Sequence, residues 1–341
     1  MTMPRLDRRS ALGLGLALPA AAAALGSPRL AAAQASPAAA AQQGAGFYRF
    51  RVGDLRCAVV SDGIFASEGP IGATFATNAA PDAVEAALAE RFLPANRATL
   101  HFNGVFIDTG RNKVLIDAGS GSSFGPTAGM LPANLRAAGV EPGEVDTLII
   151  SHAHLDHLFG VLGADGRQVF PNARVLISET EHAFWTGPAD LSKVGLPAEM
   201  KQAFVEGARK HLAAVKDRTE LVQPEREIVP GITALATPGH TPGHLSFILD
   251  SGGKQLFLTY DVVHHHALAL PHPEWKVGFD TDPDVAVETR KRTLDRVAAD
   301  RMPALAYHFP FPGLGHVARH GTGSYRWEPV VWAWDPEAQV G

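Results

Sequence analysis

Cysteine is almost absent. The 341-residue chain has one, Cys57, which excludes an intrachain disulfide framework and a thiolate-bound structural zinc. It reads most simply as a small buried apolar residue. An excess of basic charge is also missing: 30 Lys and Arg stand against 35 Asp and Glu, for a net charge of −5. Removing residues 1–35 would take away four arginines and one aspartate, leaving the remainder more acidic still. That balance disfavours polyanionic partners, so no nucleic acid is expected. No membrane span is expected either. The N-terminal apolar stretch Ala11–Leu25 falls short of the ~20 residues a spanning helix needs and is interrupted by Gly13, Gly15 and Pro19. What is present is a globular composition, 46% hydrophobic and 19% charged, long enough for one large α/β domain or two small ones.

Residues 1–35 have the character of an export signal. Arg8 and Arg9 precede the apolar stretch, and Ala33-Gln34-Ala35 fits the small-residue cleavage pattern. The paired arginines point to the twin-arginine route and to a periplasmic or secreted protein, with a plain secretory signal as the alternative. Residues 36–46 are small and polar without periodicity, as in a flexible tether, and the folded domain is expected over 47–335.

Within that domain, apolar runs bounded by turn residues predict strands at Phe47–Val52, Leu55–Val60, Val105–Ile107 and Val114–Ile116. The last two are joined as a hairpin through Gly110-Arg111-Asn112. Further strands are expected at Val145–Ile150, Val175–Ser178, Ile232–Leu235, Leu245–Leu249, Gln255–Leu258 and Ala304–Tyr307. Helical spacing appears over Pro81–Phe92, with Val84, Leu88 and Phe92 on one face, and over Glu199–Asp217 and Asp284–Asp300. Strands followed by helices occur twice in the same order. This implies an α/β fold of two ββα-rich halves packed into one domain with helices outside.

The strongest chemical signal is Ser151-His152-Ala153-His154-Leu155-Asp156-His157, directly after a buried strand. In extended chain, alternate residues share a face, so His152 and His154 can aim at one point while the following turn brings up Asp156 and His157. Four donors within six residues exceed what one tetrahedral ion can use together with distant ligands, so two adjacent ions are the economical solution. The second signal, Thr237-Pro238-Gly239-His240-Thr241-Pro242-Gly243-His244, is a tight loop able to present an imidazole rigidly. Asp261 ends an apolar run, and His308 opens the stretch His308-Phe309-Pro310-Phe311-Pro312-Gly313-Leu314-Gly315-His316. Asp62, in Ser61-Asp62-Gly63, reads as a turn carboxylate.

In this order the motifs resemble those of the metallo-β-lactamase superfamily, over about residues 47–335. The resemblance implies an αββα sandwich and two divalent metal ions, zinc first among the candidates. His152, His154 and His240 would hold one ion; Asp156, His157 and His308 the other; Asp261 would bridge them. His244 and Asp117 would stand behind the ligands and orient them. The final stretch and the export signal are most similar to the methyl parathion hydrolase group, relatives of lactonases and arylesterases. The expected reaction is metal-bridged hydroxide attack on a lactone or aryl ester, with phosphotriesters as further substrates. Asp156, Asp261 and His264 would take part in it. Lactonases acting on acyl homoserine lactones typically carry a Tyr three residues after the bridging Asp, where this chain has His264. Phe124, Trp185, Phe204 and Phe279 are candidates for an apolar leaving-group pocket.

Rival readings are a dedicated organophosphate hydrolase and an iron-dependent oxidoreductase resembling the sulfur dioxygenases, on the same ligands. A serine hydrolase on Gly121-Ser122-Ser123-Phe124-Gly125 is disfavoured, because Pro126 and Gly129 follow and no helical periodicity begins there. The aromatic run Tyr325–Trp334 is expected to close the core, or else to form a homodimer surface.

Overall fold

The computed structural model describes residues 44–340. The expected export signal, 1–35, and all but the end of the tether lie outside them. Two seven-stranded mixed sheets face each other. The first runs in chain order through β1 (Phe47–Val52), β2 (Leu55–Glu68), β3 (Arg97–Asp108), β4 (Lys113–Ile116), β5 (Thr147–Ile150), β6 (Arg174–Ser178) and β7 (Thr219–Val222). The second comprises β8 (Arg226–Val229), β9 (Ile232–Ala236), β10 (Leu245–Ser251), β11 (Lys254–Leu258), β12 (Pro303–Leu305), β13 (Leu314–Arg319) and β14 (Tyr325–Pro329).

Period-two alternation decides the layering. On the central strands, Val114, Ile116, Ile149 and Leu176 meet Phe247, Leu249, Leu256 and Leu258 of the other sheet in one core. The alternate residues Leu115, Leu148, Ile150, Val175 and Ile177 turn outward, beneath the helices Leu131–Ala137, Glu179–Thr186 and Ala198–Val215. On the second sheet Ile248, Phe257 and Ala304 pack with Leu294 and Val297 of the helix Pro283–Asp300. Helices therefore cover both outer faces, giving the αββα sandwich. Strands β4 to β7 are parallel neighbours; β4, β5 and β6, buried on both faces, read as nearly continuous apolar runs, while the edge strand β7 is partly exposed. No helix of the described residues is long and apolar enough to cross a membrane.

Several elements depart from the expectation. β2 and β3 pair over much longer spans than the two short runs foresaw, because a bulge between Ser61 and Gly63 interrupts the alternation. Asp62, expected in a turn, sits at that bulge and is buried. It accepts from Ser120 N and Oγ at 2.8 and 2.6 Å, Gly129 N at 3.3 Å and Leu131 N at 2.8 Å. The helix that starts at Pro81 stops at Ala89, and Phe92, placed on its apolar face by spacing, lies beyond in a left-handed turn (φ 57°), almost wholly exposed. Gly121–Phe124 form turns leading into a short 3₁₀ segment at Gly125–Thr127, which is no strand-to-helix elbow for a nucleophilic serine. Of the aromatic C-terminal run, Tyr325 is buried and Trp327 packs on Phe309, while Val331 and Trp334 are exposed. Beyond it the chain returns to the first sheet, where Arg51 N donates to Ala338 O and Val340 N donates to Arg51 O, each at 2.9 Å.

Candidate metal centre

Buried polar side chains gather where several strands of both sheets end. β5 leads into His152 and His154, and the short helix Leu155–Leu158 carries Asp156 and His157. The β9–β10 loop carries His240, Asp261 follows β11, and His308 follows β12. Local chemistry fixes each approach. Gly239 has φ 128°, and a Cβ there would lie 2.3 Å from Ala286 N, while one on Gly243 would lie 2.1 Å from Glu181 N. The two glycines of the loop thus let its backbone lie against two helices. Tyr260 adopts φ 46°, an uncommon conformation for a bulky residue, immediately before Asp261.

The geometry separates two overlapping groups. His154 Nδ1 lies 3.1 Å from His152 Nε2 and 2.8 Å from His240 Nε2. His157 Nε2 lies 3.4 Å from Asp156 Oδ2 and 3.4 Å from Asp261 Oδ1, and His308 Nε2 is 3.5 Å from Asp156 Oδ2. Asp261 Oδ2 stands 3.3 Å from His240 Nε2 and 3.0 Å from His308 Nε2, so this carboxylate faces both groups. Each of the sets His152/His154/His240 and Asp156/His157/His308 brings three ligand atoms within 4.8 Å of one another, as do His152/His157/Asp261 and His240/Asp261/His264.

The donor set fits cations. Three imidazole nitrogens facing one another at 2.8–3.1 Å cannot all satisfy their lone pairs by sharing protons. His157 Nε2 and Asp261 Oδ1 are buried without a hydrogen-bond partner, as expected of atoms aimed at an ion. Burial holds His152 and His154 well below the ordinary imidazole value, in the neutral form that ligates. Burial pulls His157 down as well, but Asp261, Asp156 and Asp117 outweigh it and hold this imidazole well above its usual value. Three carboxylates around one ring demand positive charge.

A ring of outer partners orients the candidate ligands. Asp117, in left-handed backbone (φ 65°), accepts from Ser151 N at 2.7 Å and lies 2.6 Å from His157 Nδ1. His244 does not join either group. Its Nδ1 lies 2.8 Å from Thr237 Oγ1, and its Nε2 accepts from Asp261 N at 3.1 Å. Sequence reasoning missed Asp280, 2.9 Å from His240 Nδ1 and flanked by buried Arg290 at 3.6 Å. It also missed the His101 carbonyl, 3.0 Å from His308 Nδ1, and Glu181, buried between two ligand loops.

The cluster forms the floor of a cavity of about 460 Å³. Phe65, Phe75, Leu100, Phe102, Met200 and the expected Phe124, Phe204 and Phe279 form its walls, and no lysine or arginine lines it among the described residues. Trp185, also expected there, does not line it: its ring is fully buried edge-on to His154, at 5.5 Å, and its indole N–H donates to Glu181 Oε1. His264 lines the cavity, with Nε2 3.3 Å from Asp261 Oδ2.

Comparison with known proteins agrees with this geometry. N-acyl homoserine lactonase AttM of Agrobacterium fabrum is 35% identical over 152 residues, 40% of this chain and 50% of that one. The N-acyl homoserine lactonase of Bacillus thuringiensis is 27% identical over 169 residues, 49% of this chain and 57% of that one. The chain thus spans about half the length of these curated relatives. Among solved structures, AidC, described as a dizinc quorum-quenching lactonase in complex with a product, N-hexanoyl-L-homoserine, superposes with a TM-score of 0.81 at 27% identity. The match covers 84% of this chain and 98% of that one. The hydrolase AbOPH of the beta lactamase superfamily gives 0.77 at 31% identity, covering 86% and 100%. With residues 102–327 matching the family's profile, the chain belongs to the metallo-beta-lactamase superfamily.

Proposed function

We propose that the protein is a dinuclear metal-dependent hydrolase that opens uncharged lactones bearing an apolar substituent, and cleaves aryl esters of similar shape. One observation carries this: seven His and Asp side chains converge, and five of them, His154, Asp156, His240, Asp261 and His308, reach the floor of a phenylalanine-walled cavity that is lined by no lysine or arginine among the described residues. Such a wall offers nothing to pair with a substrate carboxylate or phosphate monoester, whereas an acyl chain or aromatic group is desolvated favourably against it. The lactonase relatives and the AidC likeness support the same substrate class.

His152, His154 and His240 would hold one ion, Asp156, His157 and His308 the other, with Asp261 shared. When bound, a pair of divalent ions such as zinc supplies Lewis acidity and brings the pKa of water to near neutrality. The chain's own residues do the rest. The phenylalanines exclude bulk water and seat the apolar part of the substrate, so that the ester lies over the carboxylates. Asp117, Asp280 and the His101 carbonyl fix the tautomers of His157, His240 and His308 and leave each Nε2 lone pair facing inward. His264 stands on the cavity wall with neither ring nitrogen hydrogen-bonded within the protein. From there an imidazole N–H can donate to the leaving oxygen.

Substrate class is tested by kcat/KM for an acyl homoserine lactone, an aryl lactone and methyl parathion, each repeated after chelation. A chelation-sensitive preference for the lactones of about tenfold or more, about 1.4 kcal/mol of transition-state binding, is expected. Preference for the phosphotriester would make the protein an organophosphate hydrolase, and no turnover of any of the three would reject the hydrolase reading in favour of iron and dioxygen chemistry. For His264, replacement by alanine should slow substrates with poor alkoxide leaving groups by about 10²-fold while affecting nitrophenyl esters much less. Equal losses on both would remove it from proton transfer.

A further inference from the structure

Glu181 lies on the helix Glu179–Thr186, and no part of it is exposed. It hydrogen-bonds to none of the seven candidate ligands. Oε1 accepts from Ala153 N at 2.9 Å and from Trp185 Nε1 at 2.7 Å; Oε2 accepts from Thr241 Oγ1 at 2.7 Å and from Gly243 N at 3.0 Å. Ala153 is the residue between His152 and His154, and Thr241 directly follows His240. A single carboxylate therefore ties together the two separate loops that supply the three imidazoles of the first group. Gly243 shows how close this junction is, because a Cβ there would run into the Glu181 backbone.

We infer that Glu181 is a positioning residue that sets the spacing of His152, His154 and His240 by clamping their two loops, and so governs retention of the ion at that position only. The inference rests on the metal-centre reading above. Its chemistry is specific, since all four partners are donors and only an acceptor on both oxygens satisfies them. A glutamine of the same size would aim its NH₂ at two donors on one side of a fully buried junction. None of Asp156, His157 and His308 donates to Glu181, and His157 and His308 are held instead by Asp117 and the His101 carbonyl.

The test follows chelator-driven release from protein loaded with two equivalents of cobalt(II), read by metal stoichiometry and by visible absorption. In Glu181→Gln, one equivalent should leave about 10- to 100-fold faster than in the unaltered protein, with a change in the cobalt band, while the other leaves at the unaltered rate. Thr241→Val removes one of the four donors and keeps the fold should Glu181→Gln not fold. It should accelerate release of the same single equivalent by a smaller factor. Unchanged release in both variants, or equal acceleration of both equivalents, would overturn the clamp. An unaltered protein that holds fewer than two equivalents would instead overturn the metal-centre reading beneath it.

Discussion

Asp261→Ala should lower hydrolysis and metal content together. The carboxylate faces both groups, with Oδ1 3.4 Å from His157 Nε2 and Oδ2 3.0 Å from His308 Nε2 and 3.3 Å from His240 Nε2. Its removal deletes the shared ligand and leaves a buried set of imidazoles with less negative charge to balance a cation pair. Several kcal/mol of transition-state stabilisation depend on such a pair, so kcat/KM toward a lactone should fall by about a thousandfold or more. Metal content measured on the same sample should drop below two equivalents. A variant that retained two ions and full turnover would show that Asp261 bridges nothing.

Stripping the metals should also destabilise the fold. The centre concentrates Asp117, Asp156 and Asp261 around His157 in a buried site, with atoms on His157 and Asp261 that no protein group partners. Ions that bind only the folded chain stabilise it by about 4 kcal/mol each when free metal exceeds Kd a thousandfold. With roughly 2 °C of Tm per kcal/mol in a large domain, chelation should lower Tm by roughly 10 °C or more. Calorimetry before and after chelation checks this, and an unchanged Tm would mean that the centre holds no tightly bound ions.

Much of this candidate centre was legible because its candidate ligands sit in short, spaced motifs. Period-two geometry placed His152 and His154 on one face, and the prolines and glycines of the Thr237–His244 stretch announced a tight loop able to present an imidazole rigidly. What was hidden depends on packing between distant segments. Glu181 reads in sequence as one more acid on a helix surface, although its position four residues before buried Trp185 is a signal that it shares the apolar face. Asp280 was masked by neighbouring acids at the start of the helix Pro283–Asp300, where Asp282 caps the first turn. The fold shows the same division. The strongly alternating and continuous apolar runs became strands as expected, whereas β2 and β3 were underestimated because a bulge at Asp62 breaks their period. Phe92 and Trp185 mark the opposite errors, one aromatic placed inside that is exposed and one assigned to the cavity that is sealed behind it.

The most direct test of a dinuclear lactone hydrolase is stepwise return of zinc to the stripped protein while hydrolysis of an acyl homoserine lactone is followed. The account predicts negligible turnover in the stripped protein and recovery that is complete only at two equivalents per chain. Turnover that survives complete stripping, or that saturates at one equivalent, would contradict it.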